Sequence, residues 1–167
     1  MSTNNLITTP QTIEKCPEKS DLQVQRVLKN PTNPKTIIKN KKVYCIYCEN
    51  LVTNFPRHLE RKHALEIDLR AFILMPKKSK ERVNFLELLK NKGNLHYNRS
   101  VLEQKSGSII VGRRPKSNEE LTINDFLPCK YCFKFMKKKK LYRHIKRCKF
   151  YKEEETGLPK RRNNIMQ

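Results

Sequence analysis

Apolar positions recur with helical spacing in two stretches of the chain. Residues 64–75 keep Leu65, Leu69, Phe72 and Ile73 on one side, and Pro76 follows. That pattern predicts a helical segment ended by the proline, which lacks an N–H and crowds the preceding turn. Ser79 then caps a second helix in which Val83, Leu86 and Leu89 are spaced by three with Phe85 beside them. Gly93 is its expected stop. Residues 94–103 read as one further short helical piece. Residues 108–111 read as a strand entered through Ser106 and Gly107, and residues 118–126 as a loop or second edge strand. Residues 1–40 are rich in Thr, Asn, Pro and Lys with little periodicity. They predict a mostly disordered segment, with a transient helix over residues 23–29.

Composition changes this picture by limiting the core. Leu, Ile, Val and Phe make up 43 of 167 residues, just above the roughly 20% at which a highly charged chain reads as disordered. Small packed units fit that figure and one large core does not. The longest apolar run is Ala71 to Met75, far below the roughly 20 residues of a membrane span. The polar start, Met1 to Gln11, predicts no signal peptide and hence an intracellular chain. There, six cysteines point to metal ligands before disulfides.

The spacing of the cysteines and histidines sorts them into two sets of four. The first is Cys45-x2-Cys48-x9-His58-x4-His63 and the second Cys129-x2-Cys132-x11-His144-x3-Cys148. Two cysteines separated by two residues occupy one tight turn and aim at one ion. His144 and Cys148 are i and i+4, which predicts that they share a helix face. His58 and His63 are five apart, so the helix is expected to loosen before His63. Pro56 belongs in a first turn, which starts that helix near Asn54 or Phe55, with Thr53 or Asn54 as cap. Four protein ligands fill a tetrahedral zinc site and leave no open position, so two structural Zn2+ ions are predicted. Cys16 and His96 are left over and are expected to play no ligand role.

At this point the second set resembles the ββα zinc finger, with Phe135 and Leu141 at its miniature-core positions and Cys148 making it a C2HC variant. The first set is similar to a C2H2-type finger shortened by three residues between Val52 and Phe55. A second resemblance covers residues 43–150. Its landmarks are Arg57 to His63, Met75 to Arg82, Asn91 to Asn94, Ile109 to Pro115, Phe126 to Cys129 and Leu141-x2-His-x3-Cys148. These are similar to a zinc-finger region of mobile-element-derived animal proteins that precedes a tyrosine-recombinase-like portion. Nothing recombinase-like is read here, so the resemblance implies a truncated or free-standing, transposon-derived version. The expected fold is a small zinc-stabilised α+β chain. Two separated ββα-like fingers, at 41–64 and 127–150, are joined by a mainly helical spacer at 65–126. The flanks, 1–40 and a basic tail at 151–167, are disordered. Fingers below about 40 residues lack the core to fold alone, and zinc contributes roughly 10–16 kcal/mol of apparent folding free energy to such peptides.

Charge adds a partner. The formal net charge is +21, and residues 129–167 hold fourteen Lys and Arg against three Glu. Lys137, Lys138, Lys139, Lys140, Arg143, Lys146 and Arg147 fall on or beside one helix. Such a helix repels itself, and nucleic-acid phosphate is the opposite charge that suits it. If it docks as a base-reading finger, Lys137, Lys140 and Arg143 take the reading positions. Consecutive lysines carry charge with little geometric specificity, so phosphate contact is the favoured mode. Arg57, Arg61 and Lys62 of the first finger are further phosphate candidates. The expected function is DNA binding in the nucleus, with Lys137–Lys140 and Lys160–Arg162 suiting import. A protein-interaction module, or RNA binding aided by Tyr131, Phe133 and Tyr142, is the alternative. No small-molecule substrate, membrane or enzyme chemistry is expected. The chain carries four glycines and no GxSxG or phosphate-cradling loop.

Overall fold

The computed structural model describes residues 21–28, 30–33, 41–116 and 118–151. The expectations for residues 1–20, 34–40 and 152–167, Cys16 and Lys160–Arg162 among them, lie outside these. The chain forms a small α+β structure with four α-helices and three two-stranded sheets among the described residues.

The first strand pair is β2 (Val43–Tyr44) against β3 (Leu51–Val52), antiparallel, and α1 (Phe55–Lys62) follows. Asn54 caps α1, its side chain accepting from the Arg57 N–H at 3.4 Å, and Pro56 sits in the first turn. His63 lies just past the helix end with φ −129° and ψ 23°, the loosening that the five-residue histidine spacing implies.

Next come α2 (Ile67–Leu74) and α3 (Lys80–Glu103). Ser79 caps α3, its hydroxyl accepting from the Arg82 N–H at 3.1 Å. Gly93 does not stop this helix, and residues 94–103 are no separate piece. Twenty-four residues run unbroken, about 36 Å at 1.5 Å per residue. The glycine is there for a different reason. A Cβ at Gly93 would lie 2.4 Å from the Tyr44 carbonyl oxygen and 3.1 Å from Ile46 Cγ2. Only a bare Cα lets α3 pass this close to β2.

The strand expected at 108–111 is β4 at Ser106–Ile109. It pairs in parallel with β1 (Asp21–Val24), Asp21 opposite Ser106 and Val24 opposite Ile109. The transient helix expected over 23–29 is therefore not formed in its described part, residues 23–28. Leu22 and Val24 alternate with exposed neighbours, Val24 is buried, and the Gln25 N–H bonds the Ile109 carbonyl at 3.1 Å. A partner more than eighty residues downstream, with α3 in between, overrides the weak local pattern.

A short 3-10 helix, Ile123–Asp125, leads into β5 (Phe126–Pro128). β5 pairs antiparallel with β6 (Phe135–Lys137), and α4 (Lys138–Ile145) follows.

Three apolar clusters hold these parts. Val43, Cys45, Phe55 and Leu59 pack with Leu69 and Phe72 of α2 and Leu89 of α3. Val24, Val101, Ile109 and Val111 pack with Phe126 and Phe135. The third gathers Cys129, Cys132 and Cys148 with Leu141, Ile145 and Phe150. Phe135, read as sharing a miniature core with Leu141, is instead buried in the second cluster. Each strand-strand-helix unit thus shares its core with the segment between them.

Polar links reinforce this. Asn94 and Asn98 are buried on α3. Asn94 Oδ1 accepts from the Tyr44 N–H at 3.0 Å. Asn98 donates to the Ile110 carbonyl at 2.9 Å and accepts from its N–H at 2.7 Å. Arg82 is buried too. It donates to the Phe72 carbonyl at 2.6 Å and the Met75 carbonyl at 3.1 Å, lies 4.0 Å over the Phe72 ring, and pairs with Glu60 of α1. It ties the open end of α2 to α1.

Candidate metal centres and the basic helix

Both cysteine pairs lie on the same backbone device. The Glu49 N–H donates to the Cys45 carbonyl at 2.9 Å, and the Phe133 N–H to the Cys129 carbonyl at 2.8 Å. The return bonds run from Cys45 N–H to the Asn50 carbonyl at 2.9 Å and from Cys129 N–H to the Lys134 carbonyl at 3.0 Å. The residue after each second cysteine, Glu49 or Phe133, has φ of 57° or 60°. That left-handed step turns the chain back sharply and leaves both sulfurs on the inside of the loop.

The helices bring the remaining ligands to these loops. Cys45, Cys48, His58 and His63 form one group, and Cys129, Cys132, His144 and Cys148 the other. Within each, the candidate ligand atoms all lie within 4.8 Å of one another. Cys48 Sγ is 3.3 Å from His58 Nε2, and the two histidine Nε2 atoms are 3.2 Å apart. In the second group Cys132 Sγ is 3.2 Å from His144 Nε2, and Cys129 Sγ is 4.0 Å from Cys148 Sγ. Tetrahedral zinc with bonds of about 2.3 Å to sulfur and about 2.0 Å to nitrogen has edges of roughly 3.3–3.8 Å. The donor sets therefore fit a tetrahedral ion of that size. Four of the five cysteines in these groups are buried, as is His63.

Cys148 arrives by a different route than its i+4 spacing implies. α4 ends at Ile145, and the chain then tightens, Arg147 N–H bonding the His144 carbonyl at 2.9 Å and Cys148 N–H the Ile145 carbonyl at 3.3 Å. These i to i+3 bonds satisfy the last carbonyls and swing the sulfur inward from beyond the helix. His96 joins neither group. It is exposed and stacks on Tyr44, ring centroids 6.0 Å apart.

Burial shapes the chemistry of the donors. It pushes the Cys132 thiol up to about 12, with Cys129 and Cys148 adding to the effect. Burial also holds His58 below the usual histidine range, helped by His63 and Lys62, and does the same to His144, helped by Lys134. Each of these shifts favours the uncharged form, a thiol at Cys132 and neutral imidazoles at His58 and His144. A divalent ion would exchange their thiol protons for its own charge.

Beside the second group, α4 and the turn after it expose Lys138, Lys139, Lys140, Arg143, Lys146, Arg147 and Lys149. Of these, Lys146 lies 4.4 Å over the Tyr142 ring. Lys137, at the helix entry, is instead held by Glu119 at 2.7 Å. That contact reaches across 18 positions with no periodic relation, so nothing local in the sequence announces it. Arg57, Arg61 and Lys62 are exposed on α1. Among the described residues no helix is long and apolar enough to cross a membrane.

No family model matches the chain, and no curated protein and no solved structure matches it either, so the likeness to the mobile-element region rests on its sequence landmarks alone.

Proposed function

We propose that this chain is a zinc-binding nuclear protein that grips nucleic acid, duplex DNA first, through α4. The observation that carries the reading is the run of seven exposed cations on one eight-residue helix and its following turn. A surface of one sign so close to a rigid metal-anchored loop suits the phosphate backbone. Each Cys/His group supplies four protein ligands, which suits a structural ion and not catalysis. The finer reading, a ββα finger reading bases, has Lys137, Lys140 and Arg143 at the helix positions that face base edges. Lys137 is already engaged by Glu119, which favours phosphate contact over triplet reading. Descent from a mobile element remains part of the proposal on the strength of the landmarks.

A second reading has its own support. Tyr131, Phe133, Phe150 and Tyr151 line a cavity of about 550 Å³ with Lys92, Lys130 and Lys149. Aromatic faces among lysines suit the stacking of unpaired bases, so single-stranded RNA is the competing ligand. The test is selection of a randomised duplex pool on the zinc-loaded protein at near-physiological salt, beside a single-stranded RNA pool. Duplex retention lost in Cys129→Ser with Cys132→Ser supports the first reading, and an enriched motif would extend it to base reading. Retention of RNA alone replaces it with the second. Retention of neither overturns both and leaves a protein partner.

A further inference from the structure

A cavity of about 220 Å³ opens between the segment after β4 and the entry to α4, lined by Arg113, Arg114, Lys116, Glu119, Lys137 and Lys140. With Met136, which completes the lining, five of the seven side chains are cations. The single carboxylate is engaged by Lys137. Both side chains of that pair are partly buried, so it offsets one of the five cations and leaves the lining net positive.

The backbone that carries Arg113, Arg114 and Lys116 is fixed on both sides. The Gly112 N–H donates to the Phe135 carbonyl of β6 at 2.7 Å. Its own carbonyl accepts from Lys41 Nζ at 2.6 Å. A Cβ at Gly112 would lie 2.8 Å from Lys134 Cγ, so the segment is pressed onto β6. Two residues further on Pro115 is fully buried, and its carbonyl accepts from the Val27 N–H at 3.1 Å. Arg113, Arg114 and Lys116 thus project from a strap welded to the second metal-binding unit. Behind the strap Lys41 is brought down to about 8, by burial first and then by Lys90, Arg114 and Lys134. At the other wall α4 begins without a side-chain cap, leaving first-turn N–H groups to be satisfied from outside the helix.

We propose that this cavity is a phosphate site, and that its occupant is a backbone phosphate of the nucleic acid gripped by α4. The inference rests on the nucleic-acid reading above and extends it. The binding surface includes residues 113–116, which belong to the segment between the two metal groups. The strap and the helix would hold one phosphate from two sides, fixing how α4 is aimed along the backbone. Converging cations on a rigid frame lose little entropy on binding an oxyanion, which is the advantage of pre-organisation.

The test uses the full zinc-loaded chain and a short labelled duplex. Arg113→Gln with Lys116→Gln is compared with Arg70→Gln with Lys77→Gln, an equal loss of charge at exposed positions on and after α2. Cobalt(II) spectra confirm that both variants keep their metal groups. If the first pair does not, Lys116→Gln alone replaces it. The expected result is a loss of about tenfold in affinity for the first pair, with a salt dependence shallower by about one phosphate contact. The control pair changes neither. Inorganic phosphate, matched to chloride in ionic strength, should displace the duplex from the wild type better than chloride does, and lose that advantage in the first pair. Equal behaviour of the two pairs overturns the cavity as a phosphate site while leaving α4 as the grip. Failure of the wild type to bind duplex at all overturns the nucleic-acid reading, and this occupant with it.

Discussion

At the scale of the residue, the chain is organised by eight side chains whose protons matter as much as their positions. A thiolate, not a thiol, is the metal ligand, so loading each group releases one proton per cysteine. The group at Cys129 holds three cysteines and the group at Cys45 two. The logarithm of apparent metal affinity should therefore rise with pH at a slope of three for the first and two for the second. This holds above the histidine range and below the thiol range, which for Cys132 extends to about 12. Falling pH adds competition from histidine protonation. Because His58 and His144 sit below the ordinary value of about 6.5, that extra steepening starts only under it. Cobalt(II) titrations across pH, in variants that keep one group, measure both slopes. Equal slopes would mean that one of the three cysteines is not a ligand. The eight positions of the two Cys/His groups were legible in the sequence because the constraint is local: CxxC closes one turn, and the later pair comes from one short helix and the turn that ends it. The left-handed Glu49 and Phe133 were not legible, since neither residue type favours that backbone.

At the scale of the element, α3 departs most from its sequence pattern. Its periodicity ends near Gly93, and a glycine there reads as a stop. The structure uses it as a gap through which β2 approaches. An exposed helix interior and a close approach to β2 make opposite predictions for Gly93→Ala. In an exposed helix interior the change gains about 1 kcal/mol. Here the methyl meets the Tyr44 carbonyl, and a loss of about 1–3 kcal/mol is expected, the usual cost of overpacking. Denaturant unfolding of the metal-loaded protein measures it. Metal affinity should fall at the Cys45 group, which β2 leads into, and hold at the Cys129 group. A stabilised variant would show that α3 and β2 do not meet this closely. Asn94 and Asn98 belong to the same lesson. Both are polar residues of a helical stretch, yet each is buried and bonded to backbone outside α3. A buried side-chain amide is invisible to hydrophobic periodicity.

At the scale of the whole molecule, the segment between the metal groups is the shared wall of both. Val24 of β1 helps cover the cluster that also holds Phe126 and Phe135. Removing residues 1–28 should therefore cost at least the burial of Val24, about 1.5–3 kcal/mol, and strip β4 of its partner. The expected outcome is a lower melting temperature and weaker metal binding at the Cys129 group, with the Cys45 group unchanged. An unaltered melting temperature would show that β1 lies outside the cooperative fold. The same architecture sets two Cys/His groups with 65 residues between His63 and Cys129 against one shared segment. They stand on a common frame, and are not beads on a flexible linker.

The sequence by itself determined the two Cys/His groupings, the capped starts of α1 and α3, and the concentration of charge on α4. Each depends on residues no more than 19 positions apart, so spacing alone carries the information. Only the tertiary structure decided that Gly93 continues a helix, that residues 21–24 form a strand, that Phe135 faces the spacer, and that Arg113 and Lys116 stand beside Lys137 and Lys140. Those features join residues far apart in the chain. They follow from which surfaces α3 brings together, and no local pattern records that.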